Sequence, residues 1–517
     1  MRLGFVNIYS YRPHTKHLMF IADMMKDDGH DVYFLTCDAG VSNCYSRQLK
    51  GSGKLVECSR CIAGGVRTFG RGEITNISAG TGSLAEEEVD NIALSSSCTL
   101  ARTEADSDWN IEEVRVIRKS LHDPVRSVFE SAKDWISANA LEGVICFNGR
   151  MELTQAVTKA CEKLDIPFIT HERPWFGHGI QLHPNSSCLA LQALNTLVKK
   201  YRSLPLTYIQ AKHAGHLIGQ RFLQQNHLEW RLYNPKPESS RWPVATSTEP
   251  KVLIIPSSKN EFAGHPDWRS GWPSNTDALD DFFNIFSFDP KKAVLRCHPN
   301  WGERIGQVTG ERSLTHYREW ANRNGVHFIE SESSKSTYDL IQQSDIVLVN
   351  GGSSAVEAGA CGKQVICLGP STYEHAGFAQ TFNSKIEMQK NRLNKLEADD
   401  IRRKTLRFVY LRSKRHPQYV DYVRALDVAN YEYFKGANPN RIVEMLKTGK
   451  LQPDDKSFSE SEDSEVTILE MLKNSDWKGL AAEGYSNNKT LLPLPIRRRF
   501  LFRWIDLLRN KFSRGDR

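Results

Sequence analysis

Several features that would place a protein quickly are missing from this chain of 517 residues. No apolar run reaches the ~18 residues needed to span a bilayer. The stretch "MRLGFVNIYSYRPHTKH" lacks the apolar core and small-residue cleavage site of a secretory signal. Both absences make the cytosol the expected compartment, so the 11 cysteines are expected as free thiols or metal ligands and not as disulfides. No Gly-x-Gly-x-x-Gly follows the first apolar stretch, and "GSGKL" lacks the spacing and hydroxyl of a phosphate-binding P-loop. Neither a dinucleotide fingerprint nor a P-loop NTPase is indicated. Charge of one sign is scarce too: 68 basic against 61 acidic residues leave +7, which gives no reason to expect nucleic acid as a partner.

What is present is the balance of a globular protein, 40% hydrophobic and 25% charged, with length for roughly two to four domains. Apolar runs alternate with helical stretches from Leu3-Ile8 through "GHDVYFLTC", "LEGVICFNGR" and "DIPFITHE". The alternation restarts after a Pro/Ser/Thr-rich stretch with "VLIIPSS", "KAVLRCHPN", "VHFIES", "SDIVLVNGGSS" and "QVICLG". This pattern predicts two α/β domains with parallel sheets: residues 1–235, a linker at 236–251, and residues 252–450. Ligand is then expected in the cleft, at the carboxyl ends of the strands. The acidic, serine-rich stretch after residue 450 predicts a flexible tether. The basic end, residues 496–514, predicts a helix lying on an anionic membrane surface, with Leu501, Ile505, Leu508 and Phe512 on one face and Trp504 beside them.

The chemistry is concentrated where strands end. "NGGSSAVEAG" ends a buried strand at Asn350, frees the backbone at Gly351 and Gly352, and opens a helix at Ser353 and Ser354 whose first amides favour a phosphate. Glu357 lies at the capping-box spacing from Ser354. "RCHPN" ends another strand, so His298 and Pro299 are expected at the same edge, with His298 donating to a phosphate oxygen. The other His-Pro pairs, at His183, His265 and His416, read as turn elements. Ser257, Ser258 and Glu261 are expected to line the cleft from the linker side.

In the first domain Glu172 is placed to remove a proton from an acceptor hydroxyl, and Arg173 to bind an acidic sugar or phosphate. Asn148 and Arg150 should face the same space, and His14 and His17 an acceptor. Cys37, Cys44, Cys58 and Cys61 lie close in sequence, the last two at the spacing that lets both thiolates reach one zinc ion, while packed free thiols are the alternative.

Taken in order, "FNGR", "HER", "SSKNEF", "RCHPN" and "NGGSSAVEAG" resemble the bacterial capsule polysaccharide biosynthesis family, glycosyltransferases of the two-domain GT-B type. The resemblance runs through most of residues 1 to 370. It implies two Rossmann-like domains facing each other across a cleft, with metal-independent sugar transfer from a nucleotide donor to a lipid-linked or surface-polysaccharide glycan. Members that use CMP-sugars, including bacterial sialyltransferases and retaining Kdo transferases, look similar at a His-Pro and a Ser-Ser pair that hold the nucleotide phosphate. Here these are His298-Pro299 and Ser353-Ser354. Related Kdo transferases place a catalytic acid just before a glycine-rich turn, and Glu172 ahead of Gly177-His178-Gly179 is the counterpart, with "RPWF" departing from that pattern. The expected donor is CMP-linked Kdo or another acidic sugar, at the inner membrane face. Alternatives on the same fold are a CDP-glycerol-type glycerophosphotransferase, a UDP-sugar-dependent transferase and a sugar-nucleotide epimerase.

Overall fold

The computed structural model describes residues 1–70, 72–78, 83–229, 237–245, 250–482 and 490–512. Six strands form the first sheet: β1 (Arg2–Asn7), β2 (Asp31–Thr36), β3 (Glu73–Asn76), β4 (Gly143–Phe147), β5 (Phe168–Glu172) and β6 (Gln181–Pro184). Their spatial order is 3-2-1-4-5-6, parallel throughout except for the β5–β6 pair. The second sheet is built from β7 (Val252–Ile255), β8 (Val294–Arg296), β9 (His327–Ile329), β10 (Ile346–Val349), β11 (Gln364–Leu368) and β12 (Ala379–Phe382). It repeats the same order, β9-β8-β7-β10-β11-β12, parallel throughout. The result is the GT-B arrangement of two Rossmann-like domains across a cleft.

Side-chain alternation explains why both sheets are covered on both faces. Leu3 and Phe5 of β1 point into one core while Val6 points into the other; Leu253 and Ile255 of β7 likewise oppose Val252 and Ile254. Gly4 lets Trp135 lie against the first sheet: a Cβ there would stand 2.5 Å from the indole ring.

The domain limits differ from those expected. The helices Gln192–Tyr201 and Tyr208–Phe222, placed by the sequence in the first domain, share a core with Leu253, Val347 and Phe408 of the second. In return Tyr419, Val423, Tyr433, Ile442 and Leu446, expected in the second domain, pack with Leu3 and Phe5 of the first. The chain thus crosses between the domains repeatedly, because the amphipathic helices after each sheet find their apolar partners on the neighbouring domain. The described part of the Pro/Ser/Thr-rich linker is pinned too, with the Ser240 amide donating to Asp339 at 2.9 Å and the Trp242 amide to Gln343 at 2.9 Å; residues 236 and 246–249 lie outside the described residues.

The acidic stretch is not a free tether. Asp454 pairs with Arg441, Asp455 accepts from Tyr410 and Gln210, and Glu465, fully buried, accepts from both Arg407 and the Leu206 amide. Its acids are the counter-charges of basic side chains elsewhere. The terminal helix Arg503–Phe512 is anchored through Arg498, which is buried against the carbonyls of Ala63 and Gly64 and pairs with Asp506 at 2.9 Å.

The four cysteines of the expected zinc site are free thiols in this structure. Among the described residues no group of three or more His, Cys, Asp or Glu side chains is arranged to hold a metal ion. Cys37 and Cys44 pack against the hydrophobic core, Cys61 faces the Ile8 carbonyl at 3.4 Å, and burial pushes the Cys44, Cys58 and Cys61 thiols up.

Candidate active site in the interdomain cleft

In each domain the strand order reverses beside the first strand, between β1 and β4 and between β7 and β10, and loops leaving the carboxyl ends there bound a natural crevice. The segments that carry His14, Asn148, Ser257 and Ser353 all leave these strand ends.

On the second domain one cavity of about 290 Å³ is lined by His298, Pro299, Ser353, Ser354 and Glu357, and by Arg173 and Trp175 from the first domain. The histidine and the two serines, far apart in sequence, therefore face one space. His298 also caps its own turn: its Nδ1 accepts the Asn300 amide at 3.3 Å, which leaves the proton of a neutral ring on Nε2 as a donor. Gly351 takes a positive φ of 87° to turn the chain out of β10. Gly352 makes a close internal approach, since a Cβ there would stand 2.6 Å from Ser257 Oγ. The glycine pair thus serves the packing of two loops.

Several of the residues expected to contact ligand also brace that loop packing. Asn350 and Ser257 exchange reciprocal bonds, Ser257 N to Oδ1 at 2.8 Å and Nδ2 to Ser257 O at 2.9 Å, tying the ends of β7 and β10 together. Ser258 is buried and accepts from Trp301 Nε1 at 2.6 Å. Glu357 makes no capping box; Arg221 takes it at 2.7 Å and also pairs with Glu229. Glu261 lines a neighbouring cavity, and its carbonyl accepts from Arg150 at 3.2 Å. Arg150 also reaches Ser95 and Thr99, so it ties the domains together, and it lines a further cavity of about 860 Å³.

On the first domain Glu172 is the focus of three donors: His14 Nε2 at 3.2 Å, Asn148 Nδ2 at 2.8 Å and the Arg173 amide at 2.9 Å. Burial raises its pKa against the pull of the Arg173 amide and Asn148. Burial brings His14 down to about 3, so the contact is a neutral imidazole N–H donating to the carboxylate. His17 is fully buried, with Nδ1 3.0 Å from the Tyr433 hydroxyl, and belongs to the packing of the returning C-terminal segment and not to an acceptor site.

The sequence reading missed a second cavity, about 380 Å³, lined by Trp175, Gln181, His183, Glu261, Ser353, Tyr373, Arg412 and His416. It adjoins the first, since Trp175 and Ser353 line both. His183 and His416 are therefore cleft residues. His183 lies in strand β6, and His416 follows a π turn at Leu411–Arg415. Only His265 has the role read from its dipeptide, capping the turn Pro266–Trp268. The signal available in sequence was "RPWF", the departure from the family pattern, whose tryptophan stands between the cavities.

The sequence matches no family model and no curated protein. Among solved structures the chain is similar to the KpsC β-Kdo 2,4-transferase of Thermosulfurimonas dismutans, at 14% identity and a TM-score of 0.33 over 64% of this chain and 87% of that one. It is similar to the UDP-GlcNAc 2-epimerase of Neisseria meningitidis, at 12% identity and a TM-score of 0.26 over 75% and 90%. It is also similar to MurG of Acinetobacter baumannii, at 10% identity and a TM-score of 0.24 over 75% and 89%. Likenesses this distant carry no argument about activity, which rests on the residues of the cleft.

Proposed function

We propose that the protein is a GT-B glycosyltransferase that moves an acidic, CMP-activated sugar, Kdo or a relative of it, to a lipid-linked or surface-polysaccharide glycan at the inner membrane face. The observation that carries this reading is the single cavity lined by His298, Ser353, Ser354 and Arg173. Donors of this kind meet the charge that grows on a phosphate oxygen as the bond to the anomeric carbon breaks. The cationic and hydroxyl side chains supply that stabilisation themselves, so the reading assigns no metal ion to the step. Glu172, held by His14 and Asn148, takes the acceptor's proton or serves the anomeric centre.

At the surface, the C-terminal helix supports the membrane location. Phe500, Leu501, Trp504, Leu507 and Leu508 are exposed, among exposed Arg497, Arg499 and Arg503. Among the described residues no helix is long and apolar enough to cross a membrane.

Thermal unfolding with CMP, UMP, GDP and UDP tests the donor class, because a ligand of the folded state raises its stability. CMP is expected to stabilise the wild type and to lose most of that effect in His298→Ala. Preference for UDP would replace the CMP assignment. Transfer of glycerol phosphate from CDP-glycerol, or turnover of a nucleotide sugar with no acceptor present, would replace glycosyl transfer itself.

A further inference from the structure

Two arginines flank Trp175, and they differ in their counter-charges. Arg221, 5.2 Å from the ring, is claimed by Glu229 and Glu357. Arg412, 5.8 Å from it, is 9% exposed and lines the second cavity. Its Nη1 meets His416 Nδ1 at 3.2 Å, and its buried Nε has no hydrogen-bond partner. Burial pulls its pKa down to about 10, and no carboxylate among the described residues offsets that pull. A buried cation with no counter-anion is costly.

The backbone places it there by an irregularity. The helix Ala398–Tyr410 widens into a π turn at Leu411–Arg415, a device that recurs at functional sites. The turn brings Arg412 and His416 together, and His183 comes from strand β6 with its ring 5.9 Å from that of His416. Gln181 Nε2 lies 2.8 Å from His183 Nε2. Burial holds both imidazoles neutral, His183 at about 3 and His416 well below its usual range. Arg412 thus stands with uncharged Gln181, His183 and His416 at a cavity next to the phosphate cavity, and the acid in that lining, Glu261, is held by burial above the ordinary carboxylate range.

We propose that Arg412, with His183 and His416, forms the subsite for the carboxylate of the donor's acidic sugar. The inference rests on the donor reading above: with the nucleotide phosphate at His298 and Ser353, the sugar bonded to it extends past Ser353 and Trp175 into this second cavity. There the planar guanidinium fork matches a carboxylate.

The test uses the full chain and two separate readouts. Ligand-observed NMR compares free Kdo with its methyl ester, which lacks the negative charge and adds one methyl group, so the preference is read as its change between wild type and Arg412→Ala. The wild type should favour the acid on the order of tenfold; Arg412→Ala should bind both equally, and Arg412→Lys should keep part of the preference. Calorimetry with CMP should give the same affinity for wild type and Arg412→Ala. Equal binding of acid and ester by the wild type overturns the proposal, as does a preference that survives in Arg412→Ala. A matching loss of CMP affinity in Arg412→Ala would assign the guanidinium to phosphate and also overturn it. Failure of CMP to bind the wild type sinks the donor reading separately, while the acid-to-ester ratio still decides the subsite.

Discussion

Glu172 shows how one residue's environment sets a testable pH response. Its donors come from three places in the chain, His14 after β1, Asn148 after β4 and its own neighbour Arg173, and burial still raises its pKa. Only the ionised carboxylate can accept a proton, so turnover should fall as pH drops through that raised value. The acid limb then lies above the ordinary carboxylate range of about 4.3. Asn148→Leu removes a donor that favours the charged form and should move the limb to higher pH. Glu172→Gln should lower kcat by about 10²–10⁴-fold while leaving CMP affinity unchanged. Full activity in Glu172→Gln would end the assignment.

Single elements show where sequence was legible and where it was not. Strand ends were legible at His298 and at Ser353-Ser354, because a buried apolar run that stops at Gly, Ser or His marks the loop-bearing edge of a parallel sheet. Partners were not: nothing local to Asn350 shows that its amide serves Ser257, 93 residues away. Nor could periodicity see Arg412, whose position depends on a π turn in an otherwise regular helix. The acidic segment misled for a related reason, since composition reports charge and not its counter-charge. Glu465→Ala should therefore destabilise by about 1–3 kcal/mol, because it takes from buried Arg407 the buried one of its two acids and leaves only the more exposed Glu462; chemical denaturation measures this. The terminal helix was legible as amphipathic but rotated from its expected setting. Ile505 is 5% exposed and faces the protein, while Leu501, Trp504, Leu507 and Leu508 face out; the expected Phe512 side chain lies outside the described residues. The full chain should co-sediment with phosphatidylglycerol vesicles and less with phosphatidylcholine, and salt should weaken the association. Trp504→Glu with Leu508→Glu should abolish it at unchanged Tm, whereas Ile505→Ala should lower Tm and leave vesicle binding intact.

At the scale of the whole molecule the domains meet through a buried acid outside the cleft cavities. Glu104 of the first domain is 1% exposed and accepts from the Lys259 amide, Asn260 Nδ2 and Ser313 Oγ of the second. Around it Ala105 bridges Ser274, and Lys259 Nζ pairs with Asp106 at 2.9 Å. Burial raises the Glu104 pKa to about 8, and repulsion from Glu261 adds to the rise. The unfolded chain releases this proton near the ordinary value of about 4.3, the folded chain only near 8. Between those values the native state binds more protons, so its stability falls as pH rises and this contribution is gone above 8. Glu104→Gln keeps a neutral polar group in the same place and removes the titration. The wild-type Tm should fall between pH 6 and 9 by about 1 °C for each kcal/mol lost, the unfolding entropy scaling with a chain of 517 residues, and the variant's curve should be flatter and cross above it at the alkaline end. Parallel curves for the two proteins would show that the interdomain carboxyl does not govern the pH response.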